Sequence, residues 1–363
     1  MKKRTAIISV LLAVSILCTG CFSGKTPEDA GEPAGGRLVD CAGRTVELPR
    51  ERERIACLYA YTGHVAVLLQ CEENIVAVVD GLKRDSLMRE KVPGINELST
   101  PYSSGAINIE ELAAARPDLI FLRASNLQDE GELEKLDGLS VPYVVVEYIT
   151  MEDQKESIRV MGQALDKQEE AEAYLSYYDR TIAMVRERLS ALPEEKRKTV
   201  YHSVNEAVRT DIPDTLSYQV LEAAGCRNVV TGDEELRLDG EKGYASVEQI
   251  YLWDPDLILT NEPAAWEYFR TDAKFSGLRA VREDAVFQLP VGLSRWAHPG
   301  SLESPLAVLY IASTLYPEYF SEIDMSEEIR DFYKTFFRIE LTDGEIDMIL
   351  KGEGMRDPRK DET

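Results

Sequence analysis

From Gln168 to Leu192 apolar residues recur every three or four positions, at Ala171, Leu175, Tyr178, Ile182, Val185, Leu189 and Leu192, until Pro193 stops the pattern. The spacing predicts an amphipathic helix of about seven turns. At 1.5 Å per residue it runs ~37 Å, the breadth of a small domain. Short apolar runs alternate with helical ones on both sides of it. Before it come a hairpin over Arg37–Pro49, strands over Arg54–Leu58, Ile75–Val79, Leu119–Leu122 and Tyr143–Val146, and a helix over Ile109–Ala115. A further helix opens at Thr62-Gly63-His64, with Thr62 as its cap. After the long helix come strands over Thr199–Val204, Leu257–Leu259 and Ala285–Leu289, and helices over Ser217–Ala224, Val247–Trp253, Pro305–Leu315, Glu327–Phe337 and Asp343–Leu350. Such alternation predicts parallel sheets covered by helices. The expected fold is α/β: two similar parallel-sheet lobes bridged by one long helix. The divisions are an N-terminal lobe over 37–165, the interlobe helix over 166–192, a C-terminal lobe with terminal helices over 193–350, and a charged tail over 351–363.

The halves also share an internal echo. Ile107-Asn108-Ile109-Glu110-Glu111-Leu112-Ala113-Ala114-Ala115-Arg116-Pro117-Asp118-Leu119-Ile120 parallels Ala245-Ser246-Val247-Glu248-Gln249-Ile250-Tyr251-Leu252-Trp253-Asp254-Pro255-Asp256-Leu257-Ile258. In each, a Glu stands seven residues before the Pro, and Pro-Asp-Leu-Ile is identical. A helix that ends at a Pro-Asp turn and feeds a buried strand occurs once on each side of the long helix.

The chain begins Met1-Lys2-Lys3-Arg4, continues with an apolar run over Ala6–Leu17, and reaches Cys18-Thr19-Gly20-Cys21. A basic start, a short apolar run and a small residue before the cut mark a secretory signal. Twelve helical residues rise only ~18 Å, too short to span a ~30 Å hydrocarbon core. Gly20-Cys21 resembles a lipobox, with Cys18 where Leu is usual. The expectation is a lipoprotein signal peptide over 1–20, lipidation at Cys21 and a flexible tether over 21–36. The product is then held at the outer face of the cytoplasmic membrane. Removal of residues 1–20 deletes three basic side chains and no acidic one, so the net charge moves from −24 to −27. So acidic a chain lacks the Lys/Arg clusters that nucleic-acid binding needs. If Cys21 is lipidated, Cys41, Cys57, Cys71 and Cys226 remain, either as small buried apolar residues or as one or two bridges.

Several segments together resemble the substrate-binding lipoproteins of ABC importers for ferric siderophores, haem and cobalamin, whose two lobes are joined by a single rigid helix. They are Asp40-Cys41-Ala42-Gly43-Arg44-Thr45-Val46-Glu47-Leu48-Pro49 followed by Arg54-Ile55, the two Glu…Pro-Asp-Leu-Ile segments, and Trp296 with Ser301-Leu302-Glu303-Ser304-Pro305-Leu306 leading to Leu315-Tyr316-Pro317-Glu318. The matches run from about residue 37 to 320. The resemblance implies a periplasmic-binding-protein fold with a helical backbone, no catalysis and no resident cofactor. It also implies a monomer whose partners are an ABC permease dimer with its ATPases, the membrane and a small-molecule ligand. One Glu per lobe docks on the permease in such proteins. The matching positions are Glu110 and Glu248.

In parallel sheets ligands sit at the carboxyl ends of the strands. That rule selects Tyr59, Tyr61, His64, Lys83, Arg84, Tyr102 and Arg123 in the first lobe, and His202, Asn205, Arg209, Arg295, Trp296 and His298 in the second. All three histidines fall on or beside these loops. Tyr and His are axial ligands for haem iron. Lys83, Arg84, Arg123, Arg209 and Arg295 oppose the global charge and so suggest an anionic ligand, and Trp296 offers a flat apolar wall. The expected cargo is an iron complex, foremost a ferric siderophore, with haem or cobalamin as alternatives. A free metal-ion binder and a ligand-sensing lipoprotein stand further off. No G-x-S-x-G, H-E-x-x-H, P-loop or G-x-G-x-x-G motif supports an enzyme.

Overall fold

The computed structural model describes residues 35–355 apart from 104, 128, 129 and 241. The signal peptide, Cys21, most of the tether and the end of the charged tail lie outside the described residues.

Parallel pairing organises each half. In the first lobe strands β1 (Ile55–Cys57), β2 (Ile75–Ala77), β3 (Leu119–Leu122) and β4 (Tyr143–Val145) lie in the order β2-β1-β3-β4. In the second, β5 (Thr199–Ser203), β6 (Arg227–Asn228), β7 (Leu257–Thr260) and β8 (Val286–Gln288) lie in the order β6-β5-β7-β8, again all parallel. The two sheets therefore share one strand order. Their central strands β3 and β7 are buried at every position, as a sheet covered on both faces requires. The N-terminal hairpin, Arg37–Val39 with Thr45–Glu47, docks on the edge of β4. Buried Asp40 accepts from Val145 N at 3.1 Å, and Cys41 N donates to Val145 O at 3.1 Å.

The helices that cover the sheets and position the site are α1 (Ala60–Leu68), α2 (Ile109–Ala115), α3 (Met151–Ala164), α4 (Gln168–Arg188), α5 (Leu216–Ala223), α6 (Val247–Trp253), α7 (Pro263–Thr271), α8 (Ser304–Leu315), α9 (Met325–Phe332) and α10 (Asp343–Lys351). α1 begins three residues earlier than its sequence suggests, with Tyr59 at the cap position. Thr62 does not cap it but donates from Oγ1 to Tyr59 O at 2.7 Å. The α-helical part of α4 ends at Arg188 and continues as a 3-10 turn over Leu189–Ala191. It is about 31 Å long.

α3, like α7, is an element that periodicity does not disclose. A capping box of Thr150 and Asp153 starts it, and it packs along α4, which packs in turn along α8. Tyr61 in the first lobe bonds Ser157 on α3 at 2.9 Å, while Gln154 on α3 donates to Ser301 O at 2.9 Å in the second. The bridge is thus a paired α3–α4 unit, and Tyr174 on α4 adds a bond to Leu302 O at 2.6 Å.

The internal echo occupies the same place in both sheets: α2 feeds β3, and α6 feeds β7. Each helix ends in a left-handed residue, Arg116 (φ 47°) and Asp254 (φ 41°), a conformation that costs energy in a non-glycine. Each turn is then clamped by an arginine. Arg54 donates to Ala115 O and Arg116 O at 2.7 and 2.8 Å. Arg279 donates to Asp254 O at 2.8 Å and pairs with Asp256 at 2.8 Å. Asp256 also accepts from Thr199 N at 2.8 Å and so ties the turn to β5.

Among the described residues the cysteines are free. Cys57, Cys71 and Cys226 are buried and Cys41 is half-buried, which decides for the apolar alternative over bridges. Partial burial pushes the Asp256 carboxyl up, but the Thr199 and Arg279 donors outweigh it and hold it below the usual 3.8. Its contribution is therefore present at neutral pH and lost as pH falls through that lowered value. Asp256→Ala should cost about 1–3 kcal/mol at pH 7 in urea unfolding, and the gap from the unsubstituted chain should close below about pH 4.

Candidate functional site

The carboxyl ends of the two sheets bring their loops together. After β1 stands half-buried Tyr59, after β3 Arg123, and after β4 Glu147 and Tyr148. The Tyr59 and Tyr148 hydroxyls are 2.8 Å apart. The Arg123 guanidinium lies 5.0 Å over the Tyr59 ring and pairs with Glu147 at 2.9 Å. The backbone N–H of Arg123 donates to Asn126 Oδ1 at 2.9 Å.

In the second lobe Asn205 follows β5 in the left-handed region (φ 66°). Its N–H donates at 2.8 Å to Oδ1 of Asn261, the fully buried residue that follows β7. Asn261 Nδ2 and Asn205 Oδ1 are buried without a hydrogen-bond partner among the described residues. Arg209 lies half-buried in a short strand, Arg209–Thr210, that pairs antiparallel with Lys242–Tyr244, and its guanidinium has no acidic partner among the described residues. The Asn205 amide is 3.5 Å from His298 Nε2, and His298 Nδ1 accepts from Gly300 N at 3.1 Å. A Cβ on Gly300 would lie 3.6 Å from the Tyr148 hydroxyl and 3.9 Å from that of Tyr59. The 298–300 turn of the second lobe thus meets the tyrosine pair of the first. Tyr59, Tyr148, Arg123, Asn205 and His298 gather where the two sheet ends face each other.

The other sequence candidates have different occupations. Tyr61 is 1% exposed, bonded to Ser157 and packed on the Tyr148 ring at 4.6 Å, so it is a core residue. His64 is buried one turn into α1. Trp296 is wholly buried, edge-on to Tyr310 with centroids 5.9 Å apart, and offers no wall to a ligand. His202 is buried within β5, its Nδ1 3.0 Å from both oxygens of Asp211. Only His298 of the three histidines therefore reaches the site. Lys83 donates to Asn96 O and Leu98 O, Arg84 lies 3.8 Å from Asp80, and Arg295 pairs with Glu262. Tyr102 pairs with Ile107 in a short antiparallel bridge and packs on the first lobe's core. The expected excess of positive charge thus reduces chiefly to Arg209, since Arg123 faces Glu147. Among the described residues no group of three or more His, Cys, Asp or Glu side chains is arranged to hold a metal ion.

Tyr148, Glu147, Asn126 and Asn261 belong to the site, and sequence reasoning misses them. The signal is there for Glu147 and Asn261, which follow their strands as closely as Tyr59 and Arg123 do, whereas Tyr148 and Asn126 stand three and four residues beyond theirs.

The segment that carries Arg295 and His298 is braced from beneath by Glu303, which is fully buried. Its Oε1 accepts from Tyr333 OH at 2.6 Å and Ser294 N at 3.3 Å. Its Oε2 accepts from Ser294 Oγ and from Ser301 Oγ at 3.1 Å. Gly292 is required here, because a Cβ would overlap the Tyr333 hydroxyl and Glu303. Glu110 and Glu248 are exposed in the first turns of α2 and α6, with no ion pair among the described residues.

A family model described as periplasmic binding protein matches residues 55–291. The chain is 23% identical over 326 residues to the molybdate-binding protein MolA of Haemophilus influenzae, covering 83% of this chain and 90% of that one. It is 22% identical over 298 residues to the Fe(3+)-citrate-binding protein YfmC of Bacillus subtilis, covering 79% and 89%. A periplasmic solute binding protein from Veillonella parvula superposes with a TM-score of 0.72 at 26% identity, over 87% of this chain and 98% of that one. MolA with molybdate bound superposes with a TM-score of 0.73 at 21% identity, over 84% and 99%.

Burial pushes the Glu303 carboxyl up, against the downward pull of its four donors. A raised carboxyl contributes stability below its unfolded value of 4.5 that is lost as pH climbs to the folded value. Glu303→Gln should therefore flatten that decline in a thermal-unfolding series across pH. Glu303→Ala, which leaves buried donors unpaired, should cost about 2–4 kcal/mol at any pH.

Proposed function

Because this chain belongs to the periplasmic binding protein family, we propose that it captures a small, anionic, oxygen-rich metal complex of the ferric-chelate class for an ABC importer, in the cleft between its lobes. One observation carries the reading. In a chain of net charge −24, Arg209, four residues after Asn205 in the chain, keeps no acidic partner among the described residues, and the Asn205–Asn261 pair leaves an unsatisfied amide donor on buried Asn261. A cation and a dry N–H donor at one sheet end suit the carboxylate or hydroxamate oxygens of a chelate. Across the cleft the Tyr59 and Tyr148 hydroxyls add two more polar atoms.

Burial of Trp296 and Tyr61 weighs against haem or cobalamin. A porphyrin or corrin ring needs a broad apolar wall, and the rings that sequence offered for it belong to the core. The Fe(3+)-citrate-binding relative supports a ferric carboxylate. A second reading, a bare tetrahedral oxyanion, is favoured by the molybdate-binding relative and by the same donors.

Delivery is set by the frame. The paired α3–α4 bridge limits relative lobe motion, so the loaded cleft is presented rather than clamped shut. Acyl chains on Cys21 would hold the protein at the membrane surface, and a tether of about fifteen residues would let it reach roughly 20 Å. Glu110 and Glu248, one exposed carboxylate per lobe, are proposed to meet basic residues on the two permease subunits.

Calorimetric titration with ferric citrate, a ferric hydroxamate, molybdate, haem and cobalamin tests the ligand. A ferric chelate should bind with sub-micromolar affinity, and Arg209→Ala should weaken it roughly 10- to 100-fold. Tight binding of haem or cobalamin, indifferent to Arg209→Ala, would overturn the reading. Reversing both Glu110 and Glu248 to Lys should abolish uptake in whole cells and leave ligand affinity unchanged; a parallel loss of affinity would refute the docking role.

A further inference from the structure

α6 presents more than a carboxylate. Leu252 is 78% exposed, the highest value of any large apolar side chain among the described residues. It stands four residues after Glu248, so the two share one face of the helix. Tyr251 beside it is 38% exposed, and its hydroxyl is held by two bonds. It donates to Lys274 O at 2.8 Å and accepts from Gly277 N at 3.1 Å. The ring of Tyr268 on α7, itself 40% exposed, lies 4.3 Å from Lys274 Nζ. Exposed Lys274 thus stands between Tyr251 and Tyr268. The matching face of α2 has no such feature. Where α6 carries Tyr251 and Leu252, α2 carries Ala113 and Ala114.

We propose that Leu252 and Tyr251 form the apolar anchor of the permease contact, and that the second lobe therefore contributes most of the docking energy. The inference rests on the importer reading above and names its dominant interface. A rigidly held tyrosine is the residue type that interface hot spots favour, the exposed leucine beside it adds apolar area to be buried, and a charged residue at the rim sets orientation. Charge selects the occupant. Pairing of this patch with the same patch on a second copy would bring Glu248 towards its own equivalent, within a strongly acidic surface. The fitting partner offers an apolar recess bordered by Arg or Lys, on the outward face of a permease subunit. The alanines of α2 leave Glu110 to act mainly through its charge, so that contact should be the more salt-sensitive of the two.

The test uses the full-length chain produced in its native cells, with a photo-crosslinking residue placed in turn at positions 110, 248 and 252. Covalent adducts are identified by mass spectrometry. Probes at 248 and 252 should both capture the membrane-spanning subunit of an ABC importer. Leu252→Glu, combined with the 248 probe, should cut that capture about tenfold or more, with ligand titration and circular dichroism unchanged. Three outcomes overturn the proposal: capture at 248 that Leu252→Glu does not reduce, capture at 248 but not at 252, or capture of a second copy of this chain at 252. If probes at 110 and 248 also miss the permease, the docking reading itself fails, which separates the two.

Discussion

A parallel four-stranded sheet buries both of its faces, and that burial decides where this chain can present polar chemistry. β3 and β7 are apolar at almost every position because helices cover them on either side. Backbone polarity is spent within the ladder. What remains are the loops that leave the carboxyl ends, and every residue that converges on the site is in one of them. The shared strand order of the two lobes then does the rest. With the same order built twice and the bridge on one side, the two sets of loops come to face each other at the 298–300 turn.

The backbone of this arrangement was legible because its signals are local. Apolar runs gave β3, β4 and β5 to within a residue, and Pro-Asp-Leu-Ile located the equivalent helix–turn–strand units. α3 was not legible. Its buried face includes Gln154, Ser157 and Gly162, which interrupt an apolar stripe although all three are buried. Gln154 and Ser157 went inward because each had a partner supplied by another element, Ser301 and Tyr61. That is a tertiary fact which periodicity does not carry.

The site was legible as a set of loops but not as a set of side chains. Of the residues the strand ends name, Arg123 lies over the Tyr59 ring and Asn205 lies beside His298. The strand ends also named Trp296 and Tyr61, which turn inward because large rings repay burial more than exposure. The basic residues show a related limit. A count of five cations suggested a strong positive field, yet Glu147 and Glu262 lie on the same loops and cancel two of them. Which cation keeps its charge for a ligand is decided by geometry: among the described residues Lys83 is taken up by the carbonyls of Asn96 and Leu98, and Arg209 has no acidic counterion.

The buried thiols carry one more implication. Burial pushes Cys57 and Cys226 up to about 12 and Cys41 and Cys71 up to about 11. Thiolate is the species that exchanges with disulfides and reacts with oxidants. Beyond the cytoplasm these sulfurs are shielded by the fold itself. The interval of risk is the passage from export to folding, when the same four side chains are open to mispairing.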